Sequence, residues 1–178
     1  LRERLPKGSR ASCITGELPG QVLEDTETVV LSPGVPTDIP LVKALRDRGA
    51  AIIGEIELGF RQEKGRVAAI TGTNGKTTTT TLRGEIMKAH LGEDKTFVVG
   101  NIGNPYTSEC LKTAADTVTV GEISSFQLET TSSFHPAVSA ILNITPDHLN
   151  RHHTMEAYVA AKENIAANQD ENDICVLN

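Results

Sequence analysis

The run Ile70-Thr71-Gly72-Thr73-Asn74-Gly75-Lys76-Thr77-Thr78 carries the strongest structural signal in this chain. The apolar residues 67–70 that lead into it predict a buried strand, and residues 76 to about 90 predict a helix. Strand, glycine-rich turn, Lys-Thr and helix is the arrangement that holds nucleotide phosphates, because the turn and the helix start offer free N–H groups. The run therefore predicts a phosphate-binding loop within an α/β fold.

The loop is shorter than the usual P-loop. That pattern has a glycine five positions before Gly75, where this chain has Ile70. Lys76 is expected to reach the β- and γ-phosphates, and the hydroxyl of Thr77 is expected to bind Mg²⁺. The alternative is an ordinary strand-to-helix turn. It explains poorly why a lysine stands at the positive end of a helix dipole, where an anion is favoured.

Composition narrows the class of protein. The chain has 178 residues, 38% hydrophobic and 22% charged, which is typical of a globular protein. Its net charge of −6 argues against a nucleic-acid partner, and no apolar run is long enough to span a bilayer. Three cysteines lie far apart and are odd in number, which fits reduced thiols in the cytoplasm better than a disulfide framework or a zinc cluster.

The residues before the phosphate loop predict a smaller unit. Residues 1–27 are polar and rich in turns, and no element is predicted there. Residues 28–31 predict a short buried strand and residues 51–53 predict another strand. The helix between them has Pro40 in its first turn and Gly49 after its end. Such a βαβ unit implies a parallel sheet. A charged run that ends at Gly65 predicts a boundary between domains 1–64 and 65–178.

Ligands of parallel sheets bind at the carboxyl ends of the strands, and residues 32–35 follow the first strand at that position. This loop is a candidate binding segment. A plain turn held by its two prolines explains the residues equally well.

The residues after the phosphate loop predict further alternation of strand and helix. The predicted strands are 96–99, 117–120, 138–142 and 174–177, and the predicted helices are 107–114 and 154–168. Before the loop, residues 55–60 predict one more short helix. In the helix after the loop, Leu82, Ile86 and Ala89 have helical spacing and are expected to face the core.

Several polar residues stand at strand ends. Glu122 stands at the end of the predicted strand 117–120 and is a candidate acid for the Mg²⁺ site. Asn101 lies between two glycines, where a turn residue is favoured over a binding amide. Residues 124–129 combine two hydroxyls, an amide and an acid, which predicts either a polar site or a capped helix start.

A histidine pair and a lysine complete the candidates. His148 and His152 are four apart, but Pro146 favours a loop and no third soft ligand follows, so a zinc site is disfavoured. Lys162 falls on an apolar helical stripe with Tyr158 and Ile165. Such lysines usually extend to the edge of the stripe, but burial would lower the pKa and make the amine reactive.

Taken together, the motifs resemble those of the Mur ligases of peptidoglycan synthesis. The shared runs, in the order of the family, are 71–77, 100–103, 122–129, 143–149 and 160–162. The first run is also similar to that of folylpolyglutamate synthases. The Ser-Ser-Phe-Gln-Leu-Glu run at 124–129 resembles the members that add D-glutamate. One departure is Asn150, where the family more often has aspartate.

The resemblance implies an ATP-dependent ligase that joins D-glutamate to UDP-N-acetylmuramoyl-L-alanine in the cytoplasm, as a monomer without a membrane partner. Implied catalytic residues are Lys76, Glu122, His148 and Lys162. Implied ATP-binding residues are Thr73, Asn74, Gly75, Lys76, Thr77, Thr78 and Thr79. Implied substrate-binding residues are Ser32, Gly34, Asn101, Ser124, Gln127 and His148. Implied Mg²⁺ ligands are Thr77, Glu122 and Lys162, the last after carbamylation by CO₂.

The resemblance also implies that parts of a three-domain protein lie before and after this chain. The two units are expected to be a partial Rossmann-like UDP-sugar-binding domain and a partial P-loop ATPase-type domain with a mostly parallel sheet. Lacking a third domain, the chain is expected to be inactive alone. Two alternatives stay open, namely another Mur ligase or folylpolyglutamate synthase, and a P-loop NTPase that acts as a binding module.

Overall fold

A computed structural model describes residues 8–178, so residues 1–7 of the predicted N-terminal domain and of its turn-rich segment lie outside the described residues. The strands are β1 (Thr28–Leu31), β2 (Ala51–Gly54), β3 (Arg66–Thr71), β4 (Thr96–Gly100), β5 (Val118–Glu122), β6 (Val138–Ile141) and β7 (Ile174–Leu177). The helices are α1 (Gly20–Asp25), α2 (Pro40–Asp47), α3 (Glu55–Phe60), α4 (Lys76–Leu91), α5 (Tyr106–Glu109), α6 (Ser125–Leu128), α7 (Leu149–His152) and α8 (Met155–Glu163).

The strands form two sheets, and every pairing in them is parallel. The small sheet contains β1 and β2. The large sheet has the order β4-β5-β3-β6-β7, so β3 lies at its centre and the phosphate loop leaves from the middle of the carboxyl edge. The predicted α/β fold with a mostly parallel sheet is confirmed.

The small unit has the predicted βαβ form, with α2 between its two strands. The prediction that residues 28–31 are buried is wrong, because only alternate residues of β1 are partly covered and Val30 is 46% exposed. A two-stranded sheet has too little packing to bury both of its faces. The short helix α1 was not predicted, since Gly20–Asp25 has no apolar periodicity and no buried residue.

Helix α3 joins the small unit to the large sheet. Ile56 is fully buried in the core formed by β3–β6 and α5, and Phe60 packs against Phe134 with ring centroids 5.3 Å apart. The carboxylate of Glu57 accepts backbone N–H bonds from residues 132–134. By these contacts α3 packs with the large sheet, and a boundary near residue 64 remains a prediction.

The predicted core stripe of α4 is wrong. Leu82 and Ile86 are 60% and 50% exposed, and Ala89 is also exposed. The face that meets the sheet contains Thr80 and Gly84 instead. The helix comes so close to β4 that a Cβ on Gly84 would lie 2.6 Å from Val98 Cγ2, so small residues are required on that side.

No helix among residues 8–178 combines the length and the apolar character needed to cross a membrane.

Candidate phosphate and metal site

The phosphate loop forms a cradle of backbone donors between β3 and α4. Gly75 precedes the helix with φ 81°, a left-handed conformation that favours glycine. Within the described chain, no side chain caps this helix start, and the first backbone bond into the helix runs from Thr79 N–H to Gly75 O. The N–H groups of residues 76–78 are therefore available to an anion, as the sequence predicts.

Residues in the connection between β6 and α7 form hydrogen bonds with the phosphate loop at Thr73 and Asn74. Asn143 accepts from Asn74 N–H at 2.8 Å and donates to Asn74 O at 3.0 Å. The hydroxyl of Thr73 contacts Thr145 and lies 3.1 Å from the hydroxyl of Tyr158. Thr78 and Thr79 lie on the first turn of α4, where Thr79 N–H is already used within the helix. Side-chain roles for these two threonines in ATP binding stay predictions.

Glu122 lies at the end of β5, directly beside β3, and is 1% exposed. One carboxylate oxygen accepts from the hydroxyl of Thr77 at 2.9 Å, and the other accepts from the side-chain amide of Asn101 at 2.8 Å. Asn101 N–H also donates to Glu122 O. This approach requires Gly100, whose φ is 103° and where a Cβ would lie 2.3 Å from that carbonyl oxygen.

Two lysines converge on the phosphate loop. Lys76 Nζ donates to Gly72 O and Thr73 O, both at 2.9 Å. Lys162 Nζ donates to the same Gly72 O at 2.8 Å. Two amines that share one carbonyl oxygen leave a local excess of positive charge, which favours a phosphate beside them.

Lys162 is buried, at 1% exposure, instead of extending to solvent. Its amine lies 4.7 Å from the ring centroid of Tyr158. Burial and the neighbouring charge of Lys76 lower the pKa of Lys162 to about 8. At pH 7 about a tenth of such an amine is uncharged, far more than of an exposed lysine, and the uncharged form is the one that reacts with CO₂.

Ser124 and Gln127 form a capping box at the start of α6. Ser124 Oγ accepts from Gln127 N–H, and the Gln127 side chain accepts from Ser124 N–H at 2.8 Å. The capped helix start anticipated at this run is thus present. Its side chains hold each other, so roles for Ser124 and Gln127 toward substrate stay predictions.

His148 precedes α7 with φ 53°, a left-handed conformation unusual for a non-glycine residue. About half of its side chain is exposed, and its ring lies against Phe126 at 4.9 Å between centroids. A strained, accessible histidine beside α6 fits the predicted substrate role, which remains a prediction.

The donor atoms of Thr77 and Glu122 are a hydroxyl and a carboxylate, which suit Mg²⁺. The N–H cradle and the two lysines suit the phosphates of ATP. The two ring nitrogens of His152 face protein groups, since Nε2 is bonded to Ser125 Oγ and Nδ1 lies 3.3 Å from Glu129 Oε1. Over the described range 8–178, three His, Cys, Asp or Glu side chains with ligand atoms close together occur only at His135, Asp170 and Asp173, none of which belongs to this site.

Ser32 and Gly34 are exposed in the turn after β1, where Val35 N–H donates to Ser32 O. This turn is tied to the site by Arg151, whose Nη2 donates to Val35 O at 3.2 Å. Sequence reasoning missed Arg151, Asn143 and the hydroxyl of Tyr158 as site residues. No local pattern marked them, because each contacts a partner at least 69 positions away.

Comparison with known families matches residues 70–178 to the Mur ligase middle domain. A UDP-N-acetylmuramoylalanine–D-glutamate ligase of Lachnoclostridium phytofermentans is 57% identical over the whole chain, which covers 39% of that relative. The corresponding ligase of Lachnospira eligens is 58% identical over 96% of this chain and 37% of its own length. The chain thus spans less than two fifths of these relatives.

Solved structures share the fold at low sequence identity. MurF ligase from Thermotoga maritima in complex with ADP has a TM-score of 0.51 and 20% identity, and the match covers 87% of this chain and 46% of that one. MurF from Acinetobacter baumannii gives a TM-score of 0.51 and 19% identity over 87% of this chain and 42% of that one.

Proposed function

The chain belongs to the Mur ligase family, and we propose that it provides the phosphate- and metal-binding part of an ATP-dependent ligase that joins D-glutamate to UDP-N-acetylmuramoyl-L-alanine. The observation that carries the proposal is the convergence of Lys76, Lys162 and the Thr77–Glu122 pair on the N-terminus of α4. The ligases of Lachnoclostridium phytofermentans and Lachnospira eligens, which are named for this reaction, support the choice of substrates.

The proposed reaction activates a carboxylate, which is a poor electrophile on its own. An oxygen of the alanyl carboxylate bonds to the γ-phosphorus of ATP, the bond between that phosphorus and the β–γ bridging oxygen breaks, and ADP leaves. The amine of D-glutamate then attacks the acyl phosphate, phosphate leaves, the nitrogen loses a proton and the amide remains.

In this scheme the residues of the chain position groups and neutralise charge. The helix N-terminus holds the phosphates, and Lys76 stabilises the charge on the transferred phosphoryl group. Thr77 and Glu122 would hold Mg²⁺, which supplies further neutralisation of the phosphate oxygens when bound. Asn101, Ser124 and His148 are proposed to orient the muramoyl-alanine end of the substrate, so that its carboxylate is aligned for attack.

Lys162 is proposed to act as a carbamate. Its uncharged amine bonds to the carbon of CO₂ and loses a proton, so that a cation becomes a carboxylate-like anion. Burial beside Lys76 favours this change, because the product pairs with the neighbouring cation where two ammonium groups repelled each other.

The proposal is tested in a hybrid ligase, in which these 178 residues replace the matching residues of the Lachnoclostridium relative. We expect phosphate release that depends on UDP-N-acetylmuramoyl-L-alanine and D-glutamate together. Lys76→Met should lower kcat ~10²–10³-fold because the phosphoryl charge loses its clamp, whereas Lys95→Met, in an exposed ion pair, should not.

Two results would contradict the proposal. If another amino acid stimulates phosphate release as well as D-glutamate does, the substrate assignment is wrong. If hydrolysis of ATP is the same with and without the UDP substrate, the chain acts as an NTPase-type binding module.

A further inference from the structure

Arg151 links the two units of the molecule. Its Nη2 donates to Val35 O at 3.2 Å and to Glu129 Oε2 at 2.6 Å, and its guanidinium carbon lies 5.2 Å from the ring centroid of Phe126. The side chains of Arg151 and Glu129 are each only 16% exposed. An arginine held by a carbonyl, a carboxylate and an aromatic face has little freedom to turn, so its contacts fix the position of the turn at 32–35.

The ion pair is anchored in turn by a buried histidine. Glu129 Oε1 lies 3.3 Å from His152 Nδ1, and His152 Nε2 lies 2.9 Å from Ser125 Oγ. The His152 side chain is 3% exposed, and burial lowers its pKa.

The chain of contacts therefore runs from Val35 through Arg151, Glu129 and His152 to Ser125 without a break. It ends next to the residues proposed to orient the substrate. Ser125 is the first residue of α6 and directly follows Ser124. The ring of the next residue, Phe126, contacts both the guanidinium of Arg151 and the ring of His148.

A cleft of about 290 Å³ follows the same seam. It is lined by Thr37 and Asp38 from the small unit and by Arg151, His152 and His153 from the large one. A backbone hydrogen bond also joins the two units, because Gly54 N–H at the end of β2 donates to Thr130 O at 3.1 Å. This backbone bond does not involve the turn at 32–35. Among residues 8–178, the bond from Arg151 to Val35 O is the side-chain hydrogen bond that joins this turn to the large unit.

We propose that Arg151 is a positioning residue that sets the distance between the turn at 32–35 and the Ser124–His148 edge of the site. The inference rests on the proposed function, in which one long substrate contacts both places. A ligand that binds at two points loses affinity when their separation is no longer fixed. Removing Arg151 therefore weakens binding of the UDP substrate and leaves the binding of ATP unchanged.

Kinetics of the hybrid ligase test whether Arg151 affects binding of the UDP substrate. We expect Arg151→Met to raise KM for UDP-N-acetylmuramoyl-L-alanine about tenfold, with KM for ATP and kcat changed less than about threefold. Arg151→Lys should give an intermediate KM, because lysine can pair with Glu129 but cannot also reach Val35 O in a fixed geometry. Lys95→Met is the matched control, since it breaks an exposed ion pair elsewhere. An unchanged KM, or an equal rise in both KM values, would overturn the proposal.

Hydrogen exchange of the backbone amides in the 178-residue chain tests, without any substrate, whether Arg151 holds the turn at 32–35. We expect Arg151→Met to speed exchange in the segment 32–38 at least ~tenfold, and Lys95→Met to leave it unchanged. If Arg151→Met does not fold, Glu129→Gln replaces it, because the weakened pair should release the same turn. Unchanged exchange in the folded variant would overturn the link, whereas an unsubstituted hybrid that makes no product would count only against the proposed function.

Discussion

Two buried glutamates, Glu57 and Glu122, differ in what fills their hydrogen-bonding capacity. They are 0% and 1% exposed. Glu57 accepts from the backbone N–H groups of residues 132–134, from two serine hydroxyls and from Arg61. Glu122 accepts one bond from the hydroxyl of Thr77 and one from the amide of Asn101.

The kind of donor distinguishes a carboxylate that the fold holds in place from one that is proposed to bind a metal. Backbone N–H groups are fixed by the fold, so the partners of Glu57 cannot be exchanged for a ligand. The two side-chain partners of Glu122 can turn away, which leaves carboxylate oxygens for a cation at the N-terminus of α4. Burial alone therefore does not distinguish the proposed metal ligand Glu122 from Glu57.

The largest expected effect is that of Glu122→Gln in the hybrid ligase. The amide keeps the shape of the side chain but loses the charge needed to hold Mg²⁺, so kcat should fall ~10²–10³-fold. The unfolding free energy should change by less than ~1 kcal/mol, because the neutral amide still bonds to a hydroxyl. A variant that is unstable but fully active would reverse the assignment of the two glutamates.

Lys162→Ala extends the comparison to a buried amine. We expect activity of the hybrid ligase to fall ~10²-fold, since an anion proposed to form at this position is lost. Added acetate should restore part of the rate to Lys162→Ala and none to Lys76→Ala. Normal activity, or equal rescue of both variants, would speak against carbamylation.

Glu57→Gln should act on stability. An amide cannot accept all the bonds that the carboxylate receives, and its NH₂ group faces other donors, so the unfolding free energy should fall by about 3 kcal/mol. Urea unfolding of the 178-residue chain measures the loss. Glu85→Gln, in an exposed pair with Lys88, is the control and should change it by less than ~0.5 kcal/mol. A loss no larger than that of the control would show that the bonds to Glu57 add little.

The smallest effect is a pH dependence. Burial alone would raise the pKa of Glu57, but the hydrogen bonds from Ser132, Ser133 and Arg61 outweigh it and lower the pKa to about 2 from 4.5. Stability from this group is therefore present above pH 4.5 and is lost as the pH falls toward 2. When the pH is lowered from 6 to 3, the unfolding free energy of the unsubstituted chain should fall by about 2 kcal/mol more than that of Glu57→Gln. Parallel losses in the two proteins would contradict the low pKa.

The sequence predicted the elements around the phosphate loop closely, because a strand, a glycine turn and a helix start are local patterns. It placed Glu122 correctly at the end of a strand beside that loop. It failed for the buried face of α4, which contains Thr80 and Gly84, because close packing against Val98 requires glycine at position 84 and not a larger apolar residue.

Long-range partners explain the other failures. Glu57 and Arg61 have the spacing of an ordinary surface ion pair, and nothing near them indicates partners 75 to 77 positions away. Arg151 likewise lies in a polar run, and its contact with Val35 is 116 positions distant. Such contacts depend on how α3 and α7 pack, which periodicity does not encode.

The proposed phosphate and metal site at the N-terminus of α4 is tested most directly by titration calorimetry. Mg²⁺·ATP is titrated at pH 7 into the 178-residue chain and into its variants Glu122→Gln and Glu57→Gln. The chain and Glu57→Gln should bind with similar affinity, and Glu122→Gln should bind at least ~tenfold more weakly, because only Glu122 faces the phosphate loop. Binding that is unaffected by Glu122→Gln, or absent from the unsubstituted chain, would contradict a phosphate and metal site at the N-terminus of α4.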